Sequence, residues 1–148
     1  MEFASIEREI RIDAAPDVVF EVVTSPEHIK DWWTAETDIV PMAGSNGELV
    51  FSDSATVAIT VVDARPPRLF SFRWTQPTGA AATEGNSLLV TFTLTPDGDG
   101  TVLHMTETGF RAQGWEAAVL EQTYNDHVRG WDDILPKIAA TAARMLLR

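Results

Sequence analysis

Apolar and charged residues alternate along Ile6-Glu7-Arg8-Glu9-Ile10-Arg11-Ile12, the period of a strand with one face buried. Asp13-Ala14-Ala15-Pro16 follows, and proline suits the first position of a helix, where a missing N–H costs nothing. A short helix is predicted over 17–23. Its β-branched residues have low helix propensity, so packing must hold it. Ser25-Pro26-Glu27 repeats the start signal, with a capping serine, a proline and then an acid, and predicts a second short helix over 26–33.

From 34 to 110 the pattern changes to strands and turns. Strands are predicted over 48–52, 55–64, 68–75, 87–95 and 101–108. The punctuation is Gly44-Ser45-Asn46-Gly47, Arg65-Pro66-Pro67, a mobile hairpin loop over 76–86, and the tight turn Pro96-Asp97-Gly98-Asp99-Gly100. Strand side chains alternate, so Phe70, Phe72 and Trp74 share a face, as do Leu88, Val90, Phe92 and Leu94. In the last third Tyr124, Val128, Trp131, Leu135, Ile138, Ala142 and Met145 recur at helical spacing, one apolar stripe of roughly six turns. Pro136 lies inside it and is expected to kink the helix. Residues 115–123 also read as helical, but one straight helix over 115–147 would outrun a small domain, so a break is expected within 114–125.

The order is strand, two short helices, antiparallel strands, long helix. It predicts an α+β, helix-grip architecture in which a curved antiparallel sheet wraps the C-terminal helix and the short helices plug one end. A space between the concave face and the helix would suit a ligand. With 148 residues and no internal repeat, the chain reads as a single domain over 1–148.

Composition narrows the classes. There are 22 acidic against 11 basic residues, a formal charge of −11, and no Lys/Arg cluster. Nucleic acid and anionic membrane surfaces are therefore not expected partners. The absence of cysteine excludes disulfides, thiol nucleophiles and thiolate metal sites. Met1-Glu2-Phe3-Ala4-Ser5 lacks the basic and apolar regions of a leader, and no apolar run nears the ~18 residues of a membrane span. A soluble cytoplasmic protein without cofactor is the expectation. Phosphate-loop, dinucleotide and G-x-S-x-G patterns are absent. His28, His104 and His127 have no metal-ligand spacing, and Asp97-Gly98-Asp99-Gly100 lacks the later glycine and glutamate of a calcium loop.

Four segments, in order, carry a resemblance. They are Ile10-Arg11-Ile12-Asp13-Ala14-Ala15-Pro16-Asp17-Val18-Val19-Phe20, then Ser25-Pro26-Glu27-His28-Ile29-Lys30-Asp31-Trp32-Trp33, then 62–74 around Arg65-Pro66-Pro67, then Gly130-Trp131 with Leu135. The chain resembles the START-like (SRPBCC) superfamily. Within it, the match is to proteins similar to the C-terminal domain of the activator of heat-shock protein 90 ATPase. The resemblance implies a helix-grip fold. It also implies one of the roles such proteins have: binding lipids, hormones or polyketides, acting as cochaperones, or catalysing cyclisation. A shared fold does not assign one of them.

The tryptophans Trp32, Trp33, Trp74, Trp115 and Trp131 would line an apolar cavity well, or fill the core. Trp32 and Trp33 cannot share one helix face, so one is expected inside and the other at a rim. Leu103, Met105 and Glu107 share a strand face. If it points inward, Glu107 is an acid at the cavity mouth, able to act as acid, base or ligand anchor, and Arg8 is its candidate partner. His28 is expected exposed, His104 on the opposite sheet face, and His127 at the cavity border. The candidate cavity residues are Phe70, Phe72, Trp74, Met105, Glu107, Tyr124, His127 and Trp131; no catalytic or metal-binding residue is assigned.

Three functions compete. The first is enclosure of a small apolar or amphipathic ligand, stabilised by about 25 cal/mol per Å² of apolar area buried. The second is an interaction protein with an exposed apolar patch, assisting a chaperone or working as a homodimer. The third is a cyclase or dehydratase, for which Glu107 with His127 is the one available pair.

Overall fold

The computed structural model describes residues 2–51 and 55–146. In chain order the elements are β1 (Ser5–Ile12), α1 (Pro16–Thr24), α2 (Pro26–Trp32), β2 (Ala35–Thr37), β3 (Asn46–Phe51), β4 (Thr56–Arg65), β5 (Leu69–Trp74), β6 (Leu88–Asp97), β7 (Gly100–Thr108) and α3 (Ala117–Met145). The strands form one antiparallel sheet in the order β1-β7-β6-β5-β4-β3-β2. Ser52 and Leu147, at the ends of expected elements, lie outside the described residues.

Cross-strand partners share a face, so the register decides which residues look inward. Ile6 pairs with Glu107, Val90 with Glu107, Phe72 with Val90, and Val61 with Phe72. That row is apolar except for Glu107, and all five residues are buried. The face expected from alternation is the concave one: Phe70, Phe72, Trp74, Leu88, Val90, Phe92, Leu94, Leu103 and Met105 are all buried. α3 lays Trp131, Leu135, Ile138 and Ala142 onto this core. A bulge displaces the β4–β5 register between Val61 and Asp63.

Four expectations need correction. The expected break within 114–125 falls earlier, because α3 is continuous from Ala117 and runs unbroken through the exposed Pro136. Its first turn, 117–119, is exposed, so a helix of 29 residues, about 44 Å at 1.5 Å each, is accommodated by leaving that turn in solvent. The break is a 3-10 turn at Phe110–Gln113, set between Gly109 (φ 105°) and Gly114 (φ 72°). Gln113 Nε2 fastens it, its two N–H groups shared among the carbonyls of Glu84, Ser87 and Gly109.

Trp32 and Trp33 are both buried, at 1% and 7% exposure, with rings stacked 5.2 Å apart. Trp33 caps α2 (φ −111°, ψ −8°), and this departure from helix geometry lets both rings turn inward. His28 is buried rather than exposed, because α2 presents His28, Ile29 and Trp32 on its inner side; Nε2 lies 3.5 Å from both Glu21 and Glu27. Ser25 caps α2 through its backbone carbonyl, which accepts from His28 and Ile29, and its hydroxyl makes no capping bond.

Gly109 carries a testable constraint. A Cβ there would stand 3.3 Å from the Ser87 carbonyl, in a left-handed conformation that side chains resist. Gly109→Ala is expected to lower stability by about 1–3 kcal/mol in urea denaturation.

Candidate functional site

A pocket of about 480 Å³ opens where the end of β5, the end of α2 and the middle of α3 converge. Its walls are Trp33, Phe51, Val57, Trp74, Trp131 and Ile134, and its polar groups include Thr34, Thr75, Asp126 and His127. His127, Gly130 and Ile134 are three and four residues apart, so they share one stripe of α3. Gly130 has no side chain, and a Cβ there would meet open space. The helix surface is therefore hollowed where the pocket needs room.

Behind the wall lies Glu107, fully buried. Its Oε2 accepts from Trp74 Nε1 at 2.8 Å, and its Oε1 accepts from Trp131 Nε1 at 2.9 Å. Nδ1 of His127 is 2.8 Å from the same Oε1. An indole N–H can only donate, so the carboxylate acts as acceptor toward both tryptophans. Assigning the proton to Nδ1 of His127 satisfies the third contact and leaves Nε2 as the acceptor of the neutral ring. One carboxylate thus locks three rings of the pocket wall. Trp74 and His127 lie 5.4 Å apart, centroid to centroid, and Trp33, which makes no bond to Glu107, packs against Trp74 at 5.0 Å and Trp131 at 6.0 Å.

The wall is strained as well as bonded. Thr34 (φ 52°) and Thr75 (φ 73°) occupy the left-handed region, where a β-branched residue costs about 1–3 kcal/mol. Each directly follows a wall tryptophan, Trp33 or Trp74, and each lines the pocket. Strain of this kind persists only where the surroundings over-determine it. Here it turns the chain sharply just after both rings have been set inward.

The candidates named from sequence divide into layers. Trp74, His127 and Trp131 line the pocket, and Glu107 stands behind all three. Phe72 packs beneath Trp33 and Trp74. Phe70 and Met105 are core residues that do not border the pocket. Tyr124 is also off the wall: its ring packs on Phe3 and Phe110 and its hydroxyl donates to the Ser5 carbonyl. Arg8 does not pair with Glu107. From the edge strand it reaches Asp132 on α3 at 2.8 Å, and that hydrogen bond raises its pKa, with burial opposing the rise and charge attraction adding to it. His104 lies on the outer face beside Glu7. Sequence reasoning missed Trp33 as a wall residue, together with Phe51, Val57, Gly130 and Ile134. Gly130 within a helical stripe was the available signal, since a mid-helix glycine costs stability unless space is needed.

Residues 13–143 match the family model described as Activator of Hsp90 ATPase homolog 1-like protein. The chain belongs to this family. Membership agrees with the resemblance carried by the four segments, and the solved structures agree with the helix-grip fold. A Mesorhizobium loti protein superposes with a TM-score of 0.78 at 22% identity, over 95% of this chain and 97% of that one. A Bacillus halodurans protein gives 0.71 at 25% identity, over 93% and 96%. The Aha1 of Colwellia psychrerythraea, solved in solution as a dimer, gives 0.64 at 17% identity, over 85% and 89%. No curated protein matches the sequence. Among the described residues no helix is long and apolar enough to cross a membrane, and no group of three or more acidic or histidine side chains is placed to hold a metal.

Proposed function

We propose that this member of the Activator of Hsp90 ATPase homolog 1-like family binds a small, largely apolar molecule in the pocket between β5 and α3. The observation that carries this reading is the fixing of Trp74, Trp131 and His127 by one buried carboxylate around about 480 Å³ of open space. Buried indoles commonly hydrogen-bond, as Trp32 does in the core; here three rings of one wall share a single carboxylate and leave open space in front of it. Pre-organised walls lower the ordering cost of binding, so more of the apolar burial appears as affinity. The His127 ring supplies one polar contact to orient the molecule.

The reading as a chaperone-assisting or homodimeric module has less support. Among the described residues the large exposed apolar side chains are divided, with Val40, Met42 and Val62 toward one end of β4, Val50 at the other, and Val119 and Leu146 at opposite ends of α3.

Gly130→Leu tests the reading with little risk to the fold. Leucine is favoured over glycine in a helix by up to about 1 kcal/mol, and its side chain would enter the pocket. Native mass spectrometry of the purified protein, and tryptophan quenching by a panel of fatty acids, sterols and aromatic polyketides, should give saturable binding in the parent. The expected result for Gly130→Leu is unchanged or higher stability with binding weakened at least tenfold. Equal binding in both proteins would place the ligand elsewhere, and no response from the parent would end the proposal for these classes.

A further inference from the structure

Two polar atoms on the pocket wall have complementary characters. His127 Nδ1 is taken by Glu107, and Nε2 has no partner among the described residues. Trp33 is buried, at 7% exposure, and lines the same pocket; its N–H has no acceptor among the described residues and is not among their fully buried unsatisfied atoms. Both rings lie within 5.4 Å, centroid to centroid, of Trp74. Beside the polar groups of Thr34, Thr75 and Asp126, the aromatic part of the lining thus carries one ring acceptor and one ring donor.

A hydrogen-bonding handle needs no carboxylate behind it. Glu107 adds something specific: it fixes the ring's orientation and tautomer, and it stabilises the imidazolium once a proton arrives. Its own two indole donors keep it from swinging away, so little reorganisation accompanies proton transfer. We propose that this pocket is a proton-transfer site for uncharged, planar carbonyl compounds, with His127 as the general base and the Trp33 N–H as the donor to the developing oxyanion. The C–H bond next to the carbonyl breaks and its proton passes to Nε2. The electron pair becomes the C=C bond of an enolate whose oxygen accepts from Trp33. Return of the same proton to a conjugated carbon completes an isomerisation that needs no co-reactant. Planarity follows from the ring walls. Anionic substrates are disfavoured by a lining without Lys or Arg among the described residues, and Asp126 is already paired with Arg129, so no free charge there calls for a cation. Glu107 is a positioning residue in this scheme.

The inference rests on the binding reading, so binding and turnover are measured separately. The probe is 5-nitrobenzisoxazole, a planar carbon acid whose ring opens when a base removes its proton: the C–H electrons form the nitrile, the N–O bond breaks and a coloured phenolate leaves. Tryptophan quenching reports its binding and absorbance its turnover. The parent is expected to bind and turn it over. His127→Gln is expected to bind it but lose kcat by about a hundredfold or more. Trp33→Phe is expected to lose roughly tenfold in kcat with a smaller change in KM. His104→Gln, changed on the outer face, controls for surface histidines and should match the parent. Equal kcat in the parent and His127→Gln, with both binding, overturns the catalytic inference and leaves the binding reading standing. Failure of the parent to bind the probe overturns the inference for planar, uncharged carbon acids that develop an oxyanion.

Discussion

Replacing Glu107 by alanine is expected to destabilise the protein by about 3–5 kcal/mol, a large part of the margin of a chain this size. The carboxylate is fully buried and accepts from two indoles and one imidazole. Removing it leaves donors with no acceptor in an apolar setting, each costing about 1–3 kcal/mol. Glu107→Gln is the sharper variant, since it keeps the volume. Its single oxygen cannot replace both carboxylate oxygens, and its NH₂ must face an indole or imidazole N–H. A loss of about 2–3 kcal/mol is expected. Adding Trp74→Phe and Trp131→Phe to Glu107→Leu should recover part of the deficit, because the stranded donors leave with their acceptor. Urea denaturation followed by far-UV circular dichroism reads all of these without relying on the altered tryptophans. A loss below about 1 kcal/mol for Glu107→Ala would mean that desolvating the carboxylate nearly cancels its three bonds.

How far this site was legible depended on the element that carried it. The strand faces followed from alternation, because a period of two leaves only two choices and the apolar side must go in. Glu107 was therefore readable as sharing the face of Leu103 and Met105, and as an inward acid only on the condition that this face points in. Its partners were not, since the indoles come from β5 and α3 and nothing local says that sheet curvature brings them to one carboxylate. Arg8 shows the same limit from the other side. It does lie on the inner face, opposite Met105, but at the edge strand its length carries it to Asp132 instead of across the sheet. The Trp32-Trp33 pair was divided between inside and rim for a different reason. Helical periodicity ends at a cap, and the caps and the positive φ at Thr34 and Thr75 are where the pocket is built. His28 was misplaced because its short helix carries too little of a pattern to fix which side faces in. Tyr124 kept the expected stripe, yet the pocket follows a neighbouring stripe through His127, Gly130 and Ile134.

Trp33→Ala should cost about 3–5 kcal/mol, comparable with Glu107→Ala but by a different mechanism. The Trp33 ring is the hub of the aromatic core. It stacks on Trp32 at 5.2 Å and meets Trp74 at 5.0 Å, Phe72 at 5.9 Å, and Phe51 and Trp131 at 6.0 Å. It thereby ties α2 to both the sheet and α3. Because its N–H has no partner among the described residues, none of the loss is a protein hydrogen bond, and Trp33→Phe should cost only about 1–1.5 kcal/mol for lost contact area. Trp32→Phe gives the contrast. That neighbouring ring donates to the Val22 carbonyl at 2.8 Å in a fully buried position, so the same substitution strands a carbonyl and should cost about 1 kcal/mol more. The hole left by Trp33→Ala adjoins the open pocket, which gives a small planar molecule a way in. Added indole should raise the Tm of Trp33→Ala progressively with concentration, as expected for a ligand that binds only the folded state, and leave Trp32→Ala much less affected. Rescue of both variants alike would mean that indole binds elsewhere. No rescue of Trp33→Ala would mean that the core collapses into the gap, so that the pocket is held open by Trp33 itself and not by the carboxylate behind it.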